Sequence, residues 1–147
     1  MAEKDKGLIG NEQIEENIEA LKTSFTDENL ATVLTTIRKR ILDRGQFVVA
    51  VEVPDGASNP GTNLALKTCN FNGKKWFIAF TSFDEELKGN NSVMSCFLAD
   101  IDKIFDFTLN NTEVEGVILN PYGNMMTLNK QIIEVIIGQE GAVKKQP

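Results

Sequence analysis

The chain has 147 residues, 41% hydrophobic and 24% charged, enough apolar material for one folded domain and too much for a disordered chain. Its 15 Lys and Arg stand against 21 Asp and Glu, a formal net charge of −6, which argues against a dedicated binder of nucleic-acid backbone. No histidine is present, which removes the commonest general base and the commonest imidazole metal ligand together.

Residues 1–10 are polar, contain Gly7 and Gly10, and are expected to fray. Asn11 to Lys22 then places Ile14, Ile18 and Leu21 at helical spacing among glutamates, the pattern of a short amphipathic helix. Thr26-Asp27-Glu28 opens a second helix, with Leu30, Val33, Leu34, Ile37 and Ile41 on one face and an end at Arg44-Gly45. Arg38, Lys39, Arg40 and Arg44 fall in its last turns, where cations complement the helix dipole.

From Gln46 the period changes: Gln46 to Val53 reads as a β-strand, and Pro54 to Gly61 as a surface loop dense in turn residues. Asn63 to Phe71 and Lys74 to Phe80 form an antiparallel hairpin turning at Asn72-Gly73, two residues tolerant of positive φ. Trp76, Ile78 and Phe80 share one side of its second arm, with Phe77 and Ala79 on the other. Trp76 is thus expected in the sheet rather than as a stacking platform.

Ser82-Phe83-Asp84-Glu85 fits a capping box, in which hydroxyl and carboxylate satisfy the open amides of a short helix ending near Gly89. Ser92 to Phe97 is expected as a strand, and Leu98, Ile101, Ile104, Phe105 and Leu109 as a helix stopping at Asn110-Asn111. Gly116 to Leu119 is a short strand broken by Asn120-Pro121-Tyr122-Gly123-Asn124. The chain resumes at Met125, and one of the two methionines there is expected in the core. Asn129 caps a last helix closed by Gly138, and residues 139–147 read as a loose tail. About five strand-like runs and five helices predict a single α+β domain over residues 11–138, a mixed sheet with an antiparallel hairpin flanked by helices.

The chemistry available is narrow. Cys69 and Cys96 form no CxxC pair and read as reduced core residues. Ser-His-Asp and Cys-His catalysis lack their base, no Ser-x-x-Lys spacing occurs, and neither a GxGxxG nor a GxxxxGK[ST] phosphate cradle is present. Asp100, Asp102 and Asp106 could share a hard cation, but they read more simply as the solvated face opposite Ile101, Ile104 and Phe105. No run approaches the ~18 apolar residues of a membrane span, and the charged start has no apolar signal core behind it. The expectation is a cytoplasmic protein without catalytic residues, cofactor or metal.

The order of signals is more specific than any one of them. A strand ending at Val53-Pro54, the arm Lys75-Trp76-Phe77-Ile78-Ala79-Phe80-Thr81-Ser82, an acidic helix, then Gly116-Val117-Ile118-Leu119-Asn120-Pro121 leading to Leu128 and a final helix resembles the SseB N-terminal domain family, named for a bacterial enhanced-serine-sensitivity protein. The likeness spans roughly residues 30–138. It implies a bacterial cytoplasmic α+β domain with no catalytic residues to carry across.

If the strands ending at Phe80 and Leu119 are neighbours pointing the same way, then Thr81, Ser82, Asn120, Tyr122 and Asn124 gather at one sheet edge beside a helix N-terminus. The simpler reading has Ser82 capping its helix and Asn120 to Gly123 turning the chain. The functional expectation is a non-catalytic protein-interaction module that binds a protein partner or a second copy of itself. The alternative is a sensor of a small amino acid or carboxylate at the Thr81/Asn120 region.

Overall fold

A computed structural model describes residues 6–52, 65–88 and 95–138. The Pro54–Gly61 loop, the helix end near Gly89 and the 139–147 tail lie outside these residues.

Local signals place most of the helices. In α1 (Asn11–Thr23), Ile14, Ile18 and Leu21 are buried on one stripe, as the spacing predicts. In α2 (Asp27–Leu42), the Thr26 hydroxyl accepts the Asn29 amide at the N-cap. The helix ends just before Arg44-Gly45, as expected, and Arg44 takes the left-handed conformation, with φ of 67°. Gly45 is needed for space, because a Cβ there would fall 2.8 Å from the Arg40 carbonyl oxygen.

Strand β1 (Gln46–Glu52) is followed by β2 (Ala65–Leu66), β3 (Thr68–Phe71) and β4 (Lys74–Phe80). The β3–β4 hairpin pairs Phe71 with Lys74, and Asn72 and Gly73 both have positive φ, 56° and 77°, the type I′ geometry their identities predict. Trp76 is buried in the sheet, its indole N–H donating to the Phe71 carbonyl at 3.1 Å.

α3 (Phe83–Leu87) leads to β5 (Ser95–Asp100), α4 (Ile101–Leu109), β6 (Gly116–Leu119), β7 (Met126–Asn129) and α5 (Lys130–Ile137). The strand expected over 92–97 runs on to Asp100, and Leu98 belongs to it rather than to the helix. All six residues of β5 pair with Gln46–Val51 of β1, so tertiary pairing overrides the helical spacing of Leu98. Asp100 therefore lies on the strand, its carboxylate accepting from the Gln46 amide at 2.9 Å, apart from Asp102 and Asp106 on α4.

The seven strand segments form one mixed sheet. β1 lies between β5 and β4, all antiparallel, while β4 runs parallel to β6 and β6 antiparallel to β7. β1 and β4 pair only at Val48–Phe80 and Val49–Ala79 and then splay apart. The stretch Ala65–Phe71 fills the splay, β2 on β1 and β3 on β4. Lys67 sits at the bend, its N–H donating to Ala50 and its carbonyl accepting from Ile78. With β2 and β3 taken as two legs of one bent strand the sheet has six strands rather than five, Met126–Asn129 being the addition.

All four longer helices cover one face of this α+β sheet. Ile14 and Ile18, Val33 and Ile37, Ile104 and Phe105, and Ile133 and Ile136 pack there on Phe47, Val49, Phe77, Ala79, Val117, Leu119 and Leu128, with Met126 against the same cluster. Val48, Ile78 and Phe80 form a smaller cluster on the other face with Leu8, Cys69, Cys96 and Leu98. Leu8 comes from a 3-10 turn, Lys6–Leu8, so the described part of the segment expected to fray is folded against the sheet.

Candidate functional site

β4 and β6 are parallel neighbours, paired up to Ala79–Leu119, which brings the next residues of each strand together. Asn120 adopts φ of 55°, and its backbone N–H donates to Ala79 at 2.8 Å. Its side chain accepts from the Thr81 N–H at 2.9 Å and donates to the Thr81 hydroxyl at 3.1 Å. That hydroxyl has one proton, which goes to the Glu15 carboxylate of α1. Thr81 and Asn120 are both fully buried.

Hydrogen bonds from Asn11, Arg40 and Asn124 extend this network. The Asn11 side chain donates to the carbonyls of Gln46 at 2.8 Å and Thr81 at 3.0 Å. Its oxygen accepts from Arg40 Nε at 2.8 Å, and Arg40 Nη2 reaches the Gly7 carbonyl at 2.6 Å. Arg40, read in the sequence as one of several dipole-complementing cations, is thus turned inward and buried. Asn124 donates its side-chain N–H to the Glu15 carbonyl and its backbone N–H to Glu85.

Ser82 accepts the Glu85 N–H at 3.2 Å, half of the expected capping box. The other half is absent because the buried Glu85 carboxylate turns to Lys88, at 2.6 Å, and to Asn124. Of the five residues singled out in the sequence, Thr81, Asn120 and Asn124 therefore belong to one network and Ser82 borders it. Tyr122 stands apart, its ring 5.7 Å from that of Phe80 on the second face. Asn11, Glu15 and Arg40 complete the network from segments distant in sequence, and no local motif marks them.

The second face carries its own polar group. Burial raises the Cys96 thiol, and the buried Glu86 carboxylate, which accepts a hydrogen bond from it, raises it further. Burial also raises Cys69, opposed by Lys67, and raises Tyr122, helped by Cys69 and Glu86. Both cysteines are free and held protonated, the opposite of an activated nucleophile.

Two clefts open beside these features. One, of about 590 Å³, runs between the start of α1 and the start of α3, with Asn11 and Thr81 in its lining, Leu8, Ile9 and Phe83 as apolar walls, and Glu12, Glu15 and Asp84 as acids. The other, of about 680 Å³, lies among the ends of α2, α4 and α5. Ile41, Leu42, Phe107 and Ile137 supply its apolar surface, and Arg38, Lys103, Asp102 and Asp106 its charges. Phe107 stacks on Phe77 at 5.4 Å and is still 52% exposed, while Leu42 is 73% exposed. Comparison with protein families, curated proteins and solved structures returns no match in any of the three.

Proposed function

We propose that this chain is a non-catalytic protein-interaction module, in keeping with a resemblance to the SseB N-terminal domain that offers no catalytic residues to carry across, and that its partner is a second copy of itself. The observation that carries this reading is the groove among α2, α4 and α5. Leu42 and Phe107 leave much of their apolar surface in water there, and covering it is favourable at roughly 25 cal/mol per Å². The rim holds two cations and two carboxylates, and no ion pair joins these four to one another among the described residues. Two copies related by a two-fold axis can set Arg38 and Lys103 of each against Asp102 and Asp106 of the other.

The buried Thr81–Asn120 pair supports the non-catalytic half of the reading, since the Thr81 hydroxyl and the Asn120 side chain are engaged in internal hydrogen bonds. Protonated, partly buried thiols support it as well. A small carboxylate as ligand gains no electrostatic support from the Thr81 cleft, whose charged lining residues are all acidic.

Sedimentation velocity over a range of concentrations tests the proposal. A concentration-dependent dimer is expected, weakened at high salt and abolished by L42E or F107E, both exposed positions, with circular dichroism checking that each variant is folded. The pair R38E/K103E and D102K/D106K should each be monomeric and should form a heterodimer when mixed. A monomer at every concentration, or a dimer unmoved by these changes, overturns it.

A further inference from the structure

The Thr81 cleft carries a charge of definite sign, and that sign selects a ligand class independently of the helical groove. The start of α1 opens into it, equivalent to about half a positive charge. Against it stand three carboxylates, Glu12, Glu15 and Asp84, while the buried Arg40 guanidinium lies behind the lining residue Asn11 at 2.8 Å, leaving a net charge of about −1.5. Glu12 accepts one internal hydrogen bond, from Gly10 N at 2.7 Å, and Glu15 one, from Thr81. A carboxylate offers about four acceptor sites, so both keep capacity for a ligand donor. The other nearby cation, Lys88, feels Glu15 and Asp84 but is tied to Glu85, and the two neutralise each other.

The walls are apolar. Ile9 is 55% and Phe83 38% exposed, with Leu8 beside them. An acidic rim over aliphatic and aromatic walls fits a long side chain with an apolar stem and a cationic head, and Phe83 offers its ring to that cation. Free inorganic cations would leave Ile9 and Phe83 uncovered, and a carboxylate would meet three like charges.

We propose that this cleft docks a basic peptide segment of a partner protein, seating a Lys or Arg head among Glu12, Glu15 and Asp84 with its stem on Ile9 and Phe83. The test is a titration of the labelled full chain, followed by amide NMR, with acetyl-Leu-Lys-Leu-Arg-amide, acetyl-Leu-Glu-Leu-Glu-amide and spermidine in separate arms. The basic peptide is expected to shift the amides of residues 8–15 and 81–84, with affinity falling about tenfold in the E12Q/D84N variant and falling with added salt. Both substituted side chains are exposed, and retained spectral dispersion reports that the variant is folded. No shift with the basic peptide, shifts elsewhere, equal binding of the acidic peptide, or spermidine binding as tightly as the peptide would each overturn the proposal.

Discussion

Arg40 and Asn11, 29 residues apart in sequence, meet through Nε and Oδ1 at 2.8 Å in the interior. The contact joins the last turns of α2 to the first residue of α1, and through Asn11 to the carbonyls of Gln46 and Thr81. A guanidinium in that position is tolerable only while its donors are matched.

Replacing Asn11 by Ala removes the acceptor from Arg40 and the shared donor from two buried carbonyls. The expected loss is about 3 kcal/mol, since a hydrogen bond to a charged group contributes about 1.5–3 kcal/mol. It is read as a lowered urea midpoint at unchanged slope. A loss under about 1 kcal/mol would mean that water replaces Asn11 without penalty.

Thr81→Val keeps the shape of the side chain and removes the hydroxyl that both donates to Glu15 and accepts from Asn120. The buried Asn120 and the part-buried Glu15 each lose a partner, and about 1–3 kcal/mol should be lost in thermal or urea unfolding. Thr81→Ser keeps the hydroxyl and should lose clearly less. Equal effects would show that the methyl group, not the network, sets the stability.

Two glycines should respond very differently to Ala. At Gly116 a Cβ would lie 2.1 Å from the Leu128 carbonyl oxygen and 2.7 Å from Asn129 Cα, both backbone atoms of the paired strand. β6 and β7 must part, with a loss of about 3 kcal/mol and faster amide exchange over residues 126–129. At Gly73 a Cβ meets nothing within 4 Å, and only the φ of +77° opposes it, about 1–2 kcal/mol.

Stability should fall in alkali. Cys69 and Cys96 are raised from the ordinary thiol value of 9.0, and Tyr122 from 10.0. Because the folded state holds these protons more tightly than the unfolded chain, stability is intact below pH 9.0 and declines as pH rises past that value. Lys88, raised chiefly by its bond to Glu85, acts in the same direction at higher pH. Urea midpoints measured from neutral pH to strong alkali should show the decline, and a double Cys→Ala variant should show less of it.

Residues whose partners lie within four positions were legible from the sequence. The Thr26, Ser82 and Asn129 caps and the Asn72-Gly73 turn rest on backbone geometry that short-range chemistry dictates. The pairing of Thr81 with Asn120 followed from assuming two parallel strands. What escaped was set by distant segments: β5 claimed Leu98 because β1 offers six pairing partners, and Arg40 turned inward because Asn11 waits there. Tyr122 went to the second face, where Phe80 supplies a ring for it. The missing half of the capping box has the same origin, since Lys88 and Asn124 draw the Glu85 carboxylate away.

The Thr81–Asn120 clasp also orders events during synthesis. Glu15 and Asn11 emerge early, yet the hydroxyl that Glu15 holds is fixed by an amide 39 residues further along. At about 5–20 residues per second, the ribosome exposes β4 for several seconds before β6 arrives to lie beside it. Through that interval the edge of β4 that β6 will cover stays bare, because β1 and β3 pair along its opposite edge.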